Sequence, residues 1–558
     1  MRILLVASAF NSLTQRVHAE LRDLRHTVEV HLAGDDEALR TAVRRCTPDL
    51  VVAPMLRTAL PPDVWSAVTC LIVHPGPPGD RGPSSLDWAI HEGAADWGVT
   101  VLQADAVMDA GPVWASEPCA LPPVAKSDLY RNEVSDAAVT AVLRAVERVA
   151  SGTYTPRPQH GPGWTAPDHT RPYLRQEVRR IDWAGDDTGT VVRKLRAADS
   201  RPGVLDDLLG AAWFLHGGHP ERDLRGRPGE LLATRAGAVC RATRDGAVWI
   251  PELRRRRPDG PAGIKLPAVT ALGDALPPLP EVPAPLMPAE DDPVWSDVRY
   301  REDGPVGLLR FAFPGGAMST AHCRRLLDAY RFALTRPTSV LVLGGGRDFF
   351  SNGIHLNVIE AAADPAAESW ANINAMDDLV EAVLTTTDRL VVAALGGNAA
   401  AGGVMLALAA DEVWCRRGVV LNPHYRLMGL YGSEYWTYTL PRRVGDAQAR
   451  RLTGQALPVT AEAARRTGLA DRVLPCTPQE FGREAARLAG LTAASPTVQG
   501  RIAAKKAARE ADERARPLAA HRAGELAVMH RQFSDPASPY HALRAAFVRK
   551  LPAPSASG

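Results

Sequence analysis

Cysteine is scarce in this chain. Seven thiols stand among 558 residues, and no two form a C-x-x-C pair. That scarcity excludes a disulfide framework and a thiolate metal cluster, and it points to reduced thiols in a cytoplasmic protein. An excess of either charge is also missing. The 65 Lys and Arg against 63 Asp and Glu leave a formal net charge of +2. Such a balance offers no grip on nucleic acid or an anionic membrane, so neither is expected as a partner. Long apolar runs are absent too: residues 2–8 are too few for a signal segment or a membrane span and read as a first strand. No internal repeat is visible. His216 and His219 lack the Cys or carboxylate companions of a metal site and are expected in a loop, so no metal is expected.

What is present is an alternation. Apolar runs at 3–7, 28–32, 50–53 and 71–73 are separated by helical patterns at 13–24, 38–46 and 62–68. This order predicts an open parallel α/β sheet over 1–163, whose strand ends form the ligand site. His74 immediately follows one such strand. A helix at 84–95, a strand at 99–104 and a helix at 136–151 complete the unit. Over 164–273, short strand-like pieces at 231–234, 238–242 and 247–251 predict a small β-rich, barrel-like domain. Seven prolines between 274 and 296 predict an extended linker. A second α/β pattern occupies 297–487. Residues 488–558 read as a helical tail, with Arg501, Lys505, Lys506 and Arg509 on a solvated face and a polar, disordered-looking end at 554–558. The fold class expected is therefore multidomain α/β.

Two short constellations carry chemistry. The first is His74-Pro75-Gly76 with Met108-Asp109-Ala110-Gly111-Pro112. Acyl transfer through a tetrahedral oxyanion needs a donor to the oxygen and a group that moves protons. An imidazole at a strand end, positioned by a carboxylate from a neighbouring loop, meets that need. Gly76, Gly79 and Gly82 give the intervening loop a close backbone approach. Residues 71–115 resemble the folate-binding core of the methionyl-tRNA and glycinamide ribonucleotide formyltransferases, with their N-x-H-P and D-x-G-P/D elements. The resemblance places His74 and Asp109 on the family's catalytic pair and Gly76 and Arg81 in the cofactor-binding loop. The family's asparagine falls on Ile72, and Asp80 or Arg81 is expected to compensate. Arg180-Ile181-Asp182-Trp183 and Ser200-Arg201-Pro202-Gly203 resemble the same family's C-terminal domain.

The second constellation is Phe350-Ser351-Asn352-Gly353 with Ala399-Ala400-Ala401-Gly402-Gly403. Thioester chemistry needs two backbone N–H groups aimed at one oxygen. Gly353 allows a bend that frees the N–H of Ile354, and Gly402 and Gly403 open an apolar helix whose positive end favours an oxyanion. Residues 339–430 resemble the crotonase (enoyl-CoA hydratase/isomerase) core, which implies Ile354 and Gly402 as oxyanion donors and Gly353 and Gly403 in the coenzyme A site. Where hydratases carry two glutamates this chain has Met405 and His424, so hydration is not expected. Glu434, in Gly432-Ser433-Glu434-Tyr435-Trp436, is the acid/base candidate, with His424 and Tyr425 as partners. Tyr435 and Trp436 are expected to pack.

The order of the two halves resembles the HypX/HoxX family of hydrogenase maturation proteins over nearly the whole chain. The resemblance implies formyl transfer from 10-formyltetrahydrofolate to coenzyme A, then decarbonylation of formyl-CoA to carbon monoxide for the iron of a nickel–iron hydrogenase. It implies folate and coenzyme A as small-molecule partners, a hydrogenase large subunit or maturation proteins as possible macromolecular ones, and a pantetheine arm that carries the formyl group between halves. A formyl thioester has no α-carbon, so the hydratase glutamates are dispensable. Two alternatives stand beside this reading: a 10-formyltetrahydrofolate hydrolase or amine formyltransferase with an acyl-CoA-binding second half, and a non-enzymatic maturation scaffold.

Overall fold

The computed structural model describes residues 1–159, 169–259, 262–289 and 294–551. The expected boundary at 163/164 and the 554–558 end lie outside the described residues. The chain divides into two compact units, Met1–Asp206 with Leu215–Gly218, and Asp207–Phe214 with His219–Gly558.

The first unit is organised by strands β1 (Arg2–Ala7), β2 (Thr27–Leu32), β3 (Leu50–Met55), β4 (Cys70–His74), β5 (Asp96–Gln103) and β6 (Val113–Ala120), ordered β2-β1-β3-β4-β5-β6. The central strands are apolar along their whole length because both faces are covered. Helices α1 (Ser12–Asp23) and α2 (Glu133–Ser151) bury apolar stripes on this sheet. The expectation of a wholly parallel sheet is corrected. β2, β1, β3 and β4 are parallel, but β5 runs antiparallel to β4, and β6 to β5. No crossover helix joins β5 to β6, only the loop 104–112, and a direct return forces antiparallel pairing. That loop carries Asp109.

In the second unit, β7 (His219–Glu221), β8 (Leu231–Arg235), β9 (Ala238–Ala242) and β10 (Ala247–Ile250) form an antiparallel sheet ordered β7-β10-β9-β8 around the buried Trp249. His216 ends the strand Ala211–His216 and His219 opens β7, so neither lies in the expected loop. The proline-rich stretch is extended as expected, but it is not a free linker. It lies along the edge strand β8, where Thr234 N–H donates to the Pro280 carbonyl and Val282 N–H to that of Thr234, both at 2.9 Å. Glu281 accepts from the Thr234 hydroxyl and the Ala236 N–H. Proline cannot donate to a ladder, so its place is this outer edge, with the non-proline residues making the bonds.

A six-stranded sheet follows: β11 (Val298–Asp303), β12 (Val306–Phe311), β13 (Val340–Gly344), β14 (Leu390–Leu395), β15 (Glu412–Arg416) and β16 (Arg472–Leu474), in that order. Only β11 and β12 pair antiparallel. Helices α3 (Thr320–Leu334), α4 (Pro365–Thr385) and the short α5 (Gly402–Leu408) fill one side. The tail is helical and includes α6 (Leu518–Ser534). Its basic stretch is not the solvated face expected. Arg501 pairs with Glu412, Lys505 with Asp411 at 2.6 Å, and Arg509 with Glu513, because two acids open β15 where the tail packs; only Lys506 is exposed. Among the described residues no helix is long and apolar enough to cross a membrane.

Candidate active sites

In the first unit, His74 sits at the end of β4, 4% exposed. Its two ring nitrogens face two carboxylates. Nε2 is 2.7 Å from Asp80 Oδ2, and Nδ1 is 3.6 Å from Asp109 Oδ1. Asp80 is turned back by its own N–H, which donates to the Pro77 carbonyl. Gly76 makes that return possible: a Cβ there would stand 2.3 Å from Asp80 Oδ2 and 2.6 Å from His74 Nε2. The other oxygen of Asp80, Oδ1, is buried without a hydrogen-bond partner among the described residues, an acceptor left open.

Asp109 adopts the left-handed conformation, φ 57°, and its Oδ2 accepts the Gly82 N–H at 3.1 Å. Gln159, which the sequence reading did not single out, staples the two loops together. Its Oε1 accepts from Gly79 N–H, and its Nε2 donates to the carbonyls of Asp109 and Gly111. Of the two residues expected to compensate for Ile72, Asp80 is brought onto His74. Among the described residues no hydrogen bond or ion pair joins Arg81 to it; Arg81 instead pairs with Thr170 in a two-residue ladder.

In the second unit, Gly353 (φ 77°) ends a loop tied down by Met318 N–H on the Gly353 carbonyl at 2.8 Å, and among the described residues no hydrogen bond from the Ile354 N–H is seen. A Cβ on Gly353 would lie 3.2 Å from the N of Gly402, so the two proposed oxyanion elements meet. Ala401, at φ 49°, turns the chain into α5, which opens at Gly402 and Gly403. Neither glycine tolerates a side chain. A Cβ on Gly403 would lie 2.1 Å from the Ser351 carbonyl oxygen, and one on Gly402 would lie 2.0 Å from Glu434 Oε1. The Glu434 carboxylate is therefore laid directly against the opening of α5.

Glu434 is 1% exposed. Tyr425 Oη donates to its Oε2 at 2.8 Å, and Ser433 N–H donates to the same oxygen at 3.1 Å. Burial pushes its carboxyl up to about 7; the Tyr425 hydroxyl opposes that rise and the Glu525 charge adds to it. His424 is not brought in as expected. Its Nδ1 is buried without a partner, no hydrogen bond among the described residues joins it to Glu434, and burial lowers the ring to about 4. Its neighbour Tyr425 holds the contact instead. Tyr435 is fully buried in the core and Trp436 packs beside Tyr431, ring centroids 5.3 Å apart.

Two residues the sequence reading missed complete this site. Asp377, on α4, and Glu525, on α6, are 0% and 1% exposed. The Ser433 hydroxyl lies 2.9 Å from Asp377 Oδ2 and 3.4 Å from Glu525 Oε2. Burial and the charges of Glu434 and Glu525 push Asp377 well up, and burial pushes Glu525 up to about 7. The faint signal for both was an acid on a helix face otherwise apolar, which periodicity alone does not separate from a solvated edge.

The arrangement has parallels in known proteins. Residues 28–146 match the formyl transferase family model, 173–259 the formyl transferase C-terminal domain, and 314–553 enoyl-CoA hydratase/isomerase. Along its whole length the chain is similar to the hydrogenase maturation factor HoxX of Bradyrhizobium diazoefficiens, 48% identical over 99% of this chain and 95% of that one. Methionyl-tRNA formyltransferase of Roseiflexus castenholzii is 31% identical over 46% of this chain and 76% of its own length. The crystal structure of HypX from Aquifex aeolicus in complex with tetrahydrofolic acid superposes with a TM-score of 0.93, at 44% identity, over 99% of this chain and 96% of that one.

Proposed function

The chain belongs to the HoxX/HypX family of hydrogenase maturation factors, and from that premise we propose that it makes carbon monoxide in two steps for the iron of a nickel–iron hydrogenase. Both 10-formyltetrahydrofolate and coenzyme A enter as substrates, and tetrahydrofolic acid bound to the Aquifex relative supports the first of these. The observation that carries the reading is the buried Glu434 carboxylate lying against Gly402, where Met405 and His424 stand in place of the hydratase glutamates.

In the first step the thiol sulfur bonds to the formyl carbon, the bond from that carbon to N10 breaks, and the thiol proton ends on N10. His74 stabilises the oxyanion and moves the proton. Asp80 Oδ2 holds its ring at Nε2, while Nδ1, 3.6 Å from Asp109 and beyond hydrogen-bond distance, is left for the oxyanion, and Asp80 Oδ1 is placed to accept from the incoming group. Gly76, Gly82 and Arg81 line the loop that closes on the folate. Ile72 offers no donor where the formyltransferases carry asparagine, so His74 supplies that contact alone.

In the second step the N–H groups of Ile354 and Gly402 hold the formyl oxygen, and Gly353 and Gly403 give the thioester its close backbone approach. Glu434 takes the formyl hydrogen as a proton. The electron pair of that bond stays on carbon, the carbon–sulfur pair leaves on sulfur, and Glu434 returns the proton to the thiolate. Carbon monoxide and free coenzyme A result, with no oxidant or reductant. Burial serves this step twice: it makes Glu434 a better base, and it keeps water from hydrolysing the thioester.

The test is carbon monoxide release, trapped by a reduced haem protein, from purified protein given 10-formyltetrahydrofolate with and without coenzyme A. Release that requires coenzyme A is the expected result. Formate without carbon monoxide would identify a folate hydrolase instead.

A further inference from the structure

Glu434 and Tyr435 stand in consecutive left-handed conformations, φ 59° and 58°. Neither residue is a glycine, and such a pair persists only where the surroundings impose it. Two buried carboxylates do so. Asp377 Oδ1 accepts the Glu434 N–H at 2.8 Å. Glu525 accepts the N–H groups of Tyr435 and Thr437, both at 2.9 Å, and the Thr437 hydroxyl at 2.5 Å. The Ser433 hydroxyl bridges the two acids. One acid comes from α4 and the other from α6 in the C-terminal segment, far apart in sequence.

We propose that Asp377 and Glu525 are positioning residues for Glu434: they clamp the 433–437 backbone so that its carboxylate meets Gly402. The Glu525 charge in addition makes it a stronger base for the formyl proton. The proposal rests on the decarbonylation reading above. It also assigns the C-terminal helical segment a part in the chemistry, since the site is incomplete without α6.

The groups facing Glu434 support the electrostatic half. Glu525 brings like charge, and the Tyr425 hydroxyl brings one hydrogen bond. Cys323 of α3 faces it as a thiol that burial keeps protonated. The one cation of the cluster among the described residues, Arg522, is 3.8 Å from Asp377 and is engaged outward by Asp378 at 2.6 Å and Glu381 at 2.9 Å. His521 stands behind Thr437, its Nδ1 2.9 Å from the hydroxyl, and burial lowers that ring. Asp377 thus shares Arg522 with acids outside the site, while the Glu525 charge acts on Glu434 across a buried interior.

The experiment supplies formyl-CoA directly to the full chain, bypassing the first unit, and follows carbon monoxide release against pH. Glu525→Gln and Asp377→Asn each keep an acceptor oxygen but lose the charge. In each, kcat is expected to fall at least about tenfold with KM little changed, and in Glu525→Gln the acidic limb of the profile is expected to move down by on the order of one pH unit. Glu368→Gln, which loosens the Thr320 hydroxyl contact near the start of α4 and away from 433–437, is expected to leave that limb in place. Circular dichroism and a melting curve establish that each variant is folded, and having two clamp variants guards against the loss of one. An unchanged kcat in a folded clamp variant, or an unmoved limb in folded Glu525→Gln, with Glu434→Gln inactive, overturns the clamp and leaves the decarbonylation reading standing. Carbon monoxide release that survives Glu434→Gln overturns the reading itself.

Discussion

The two sites of this molecule handle charge in opposite ways. In the first, a cationic-capable imidazole lies between two carboxylates, so unlike partners meet within a few ångströms. In the second, three buried carboxylates gather around one serine with a single arginine at their edge. The first arrangement holds a group in place; the second changes what a group does. An acid among acids, cut off from water, keeps its proton near neutral pH, which is what the base role proposed for Glu434 needs.

The comparison is broken most completely by a reciprocal pair. His74→Ala is expected to lower formyl transfer from 10-formyltetrahydrofolate by about 10²–10⁴, the span of general acid–base catalysis. Carbon monoxide release from added formyl-CoA is expected to be unchanged. Glu434→Gln is expected to do the reverse, with formyl-CoA or its hydrolysis product accumulating. A haem-trap assay beside a folate assay reads both. Loss of both activities in either variant would mean that the two sites are not independent chemistries.

A smaller effect is expected from Gly402→Ala. The added Cβ would stand 2.0 Å from Glu434 Oε1, so either the carboxylate or the opening of α5 must move. Losing the aim of one oxyanion donor costs about 10²–10³ in kcat, while the first-unit activity stays at its wild-type value. Steady-state kinetics on formyl-CoA check it.

Tyr425→Phe sharpens the electrostatic half. The Tyr425 hydroxyl holds the Glu434 carboxyl down against burial. Without it the acidic limb of carbon monoxide release is expected to move up in pH, by on the order of one unit, with a drop of a few-fold at neutral pH. A limb that moves down would refute the hydrogen bond's role.

The smallest expectation concerns stability. Glu434 and Glu525 hold their protons more tightly folded than unfolded, with folded values of about 7 against 4.5. Their contribution is therefore full below about pH 4.5 and is lost as pH rises toward 7, on the order of 3 kcal/mol for one such group. The denaturant midpoint of the second unit is expected to fall across that window, and Glu434→Gln to flatten the fall. A midpoint that rises with pH instead would contradict the raised values.

How much of each site could be read in advance follows from how it is assembled. The His74 site is made largely of one loop, 74–82, plus Asp109, and its glycines are spaced within that loop. Local spacing therefore named His74, Gly76 and Asp109, and offered Asp80 as one of two substitutes for the missing asparagine. It could not choose between Asp80 and Arg81, because only the turn at Pro77 decides which side chain swings back to the imidazole. Gln159 escaped notice because its partners lie fifty and eighty residues away. The same limit misdirected His424. It stands beside Tyr425 in sequence, but the chain turns at Tyr425 into the short helical turn Arg426–Met428, and only Tyr425 reaches Glu434.

By itself, then, the sequence determined the α/β class and the local motifs, since propensity, alternation and turn glycines act over a few residues, and its resemblance to known families gave the order of the formyltransferase-like and crotonase-like halves. The tertiary structure alone decided three things: the antiparallel return that carries Asp109, the docking of the proline-rich strap on β8, and the meeting of Asp377, Glu434 and Glu525. Each depends on which surfaces share a core, and the perturbation of a buried carboxyl is a property of that shared, dry environment that no stretch of chain carries alone.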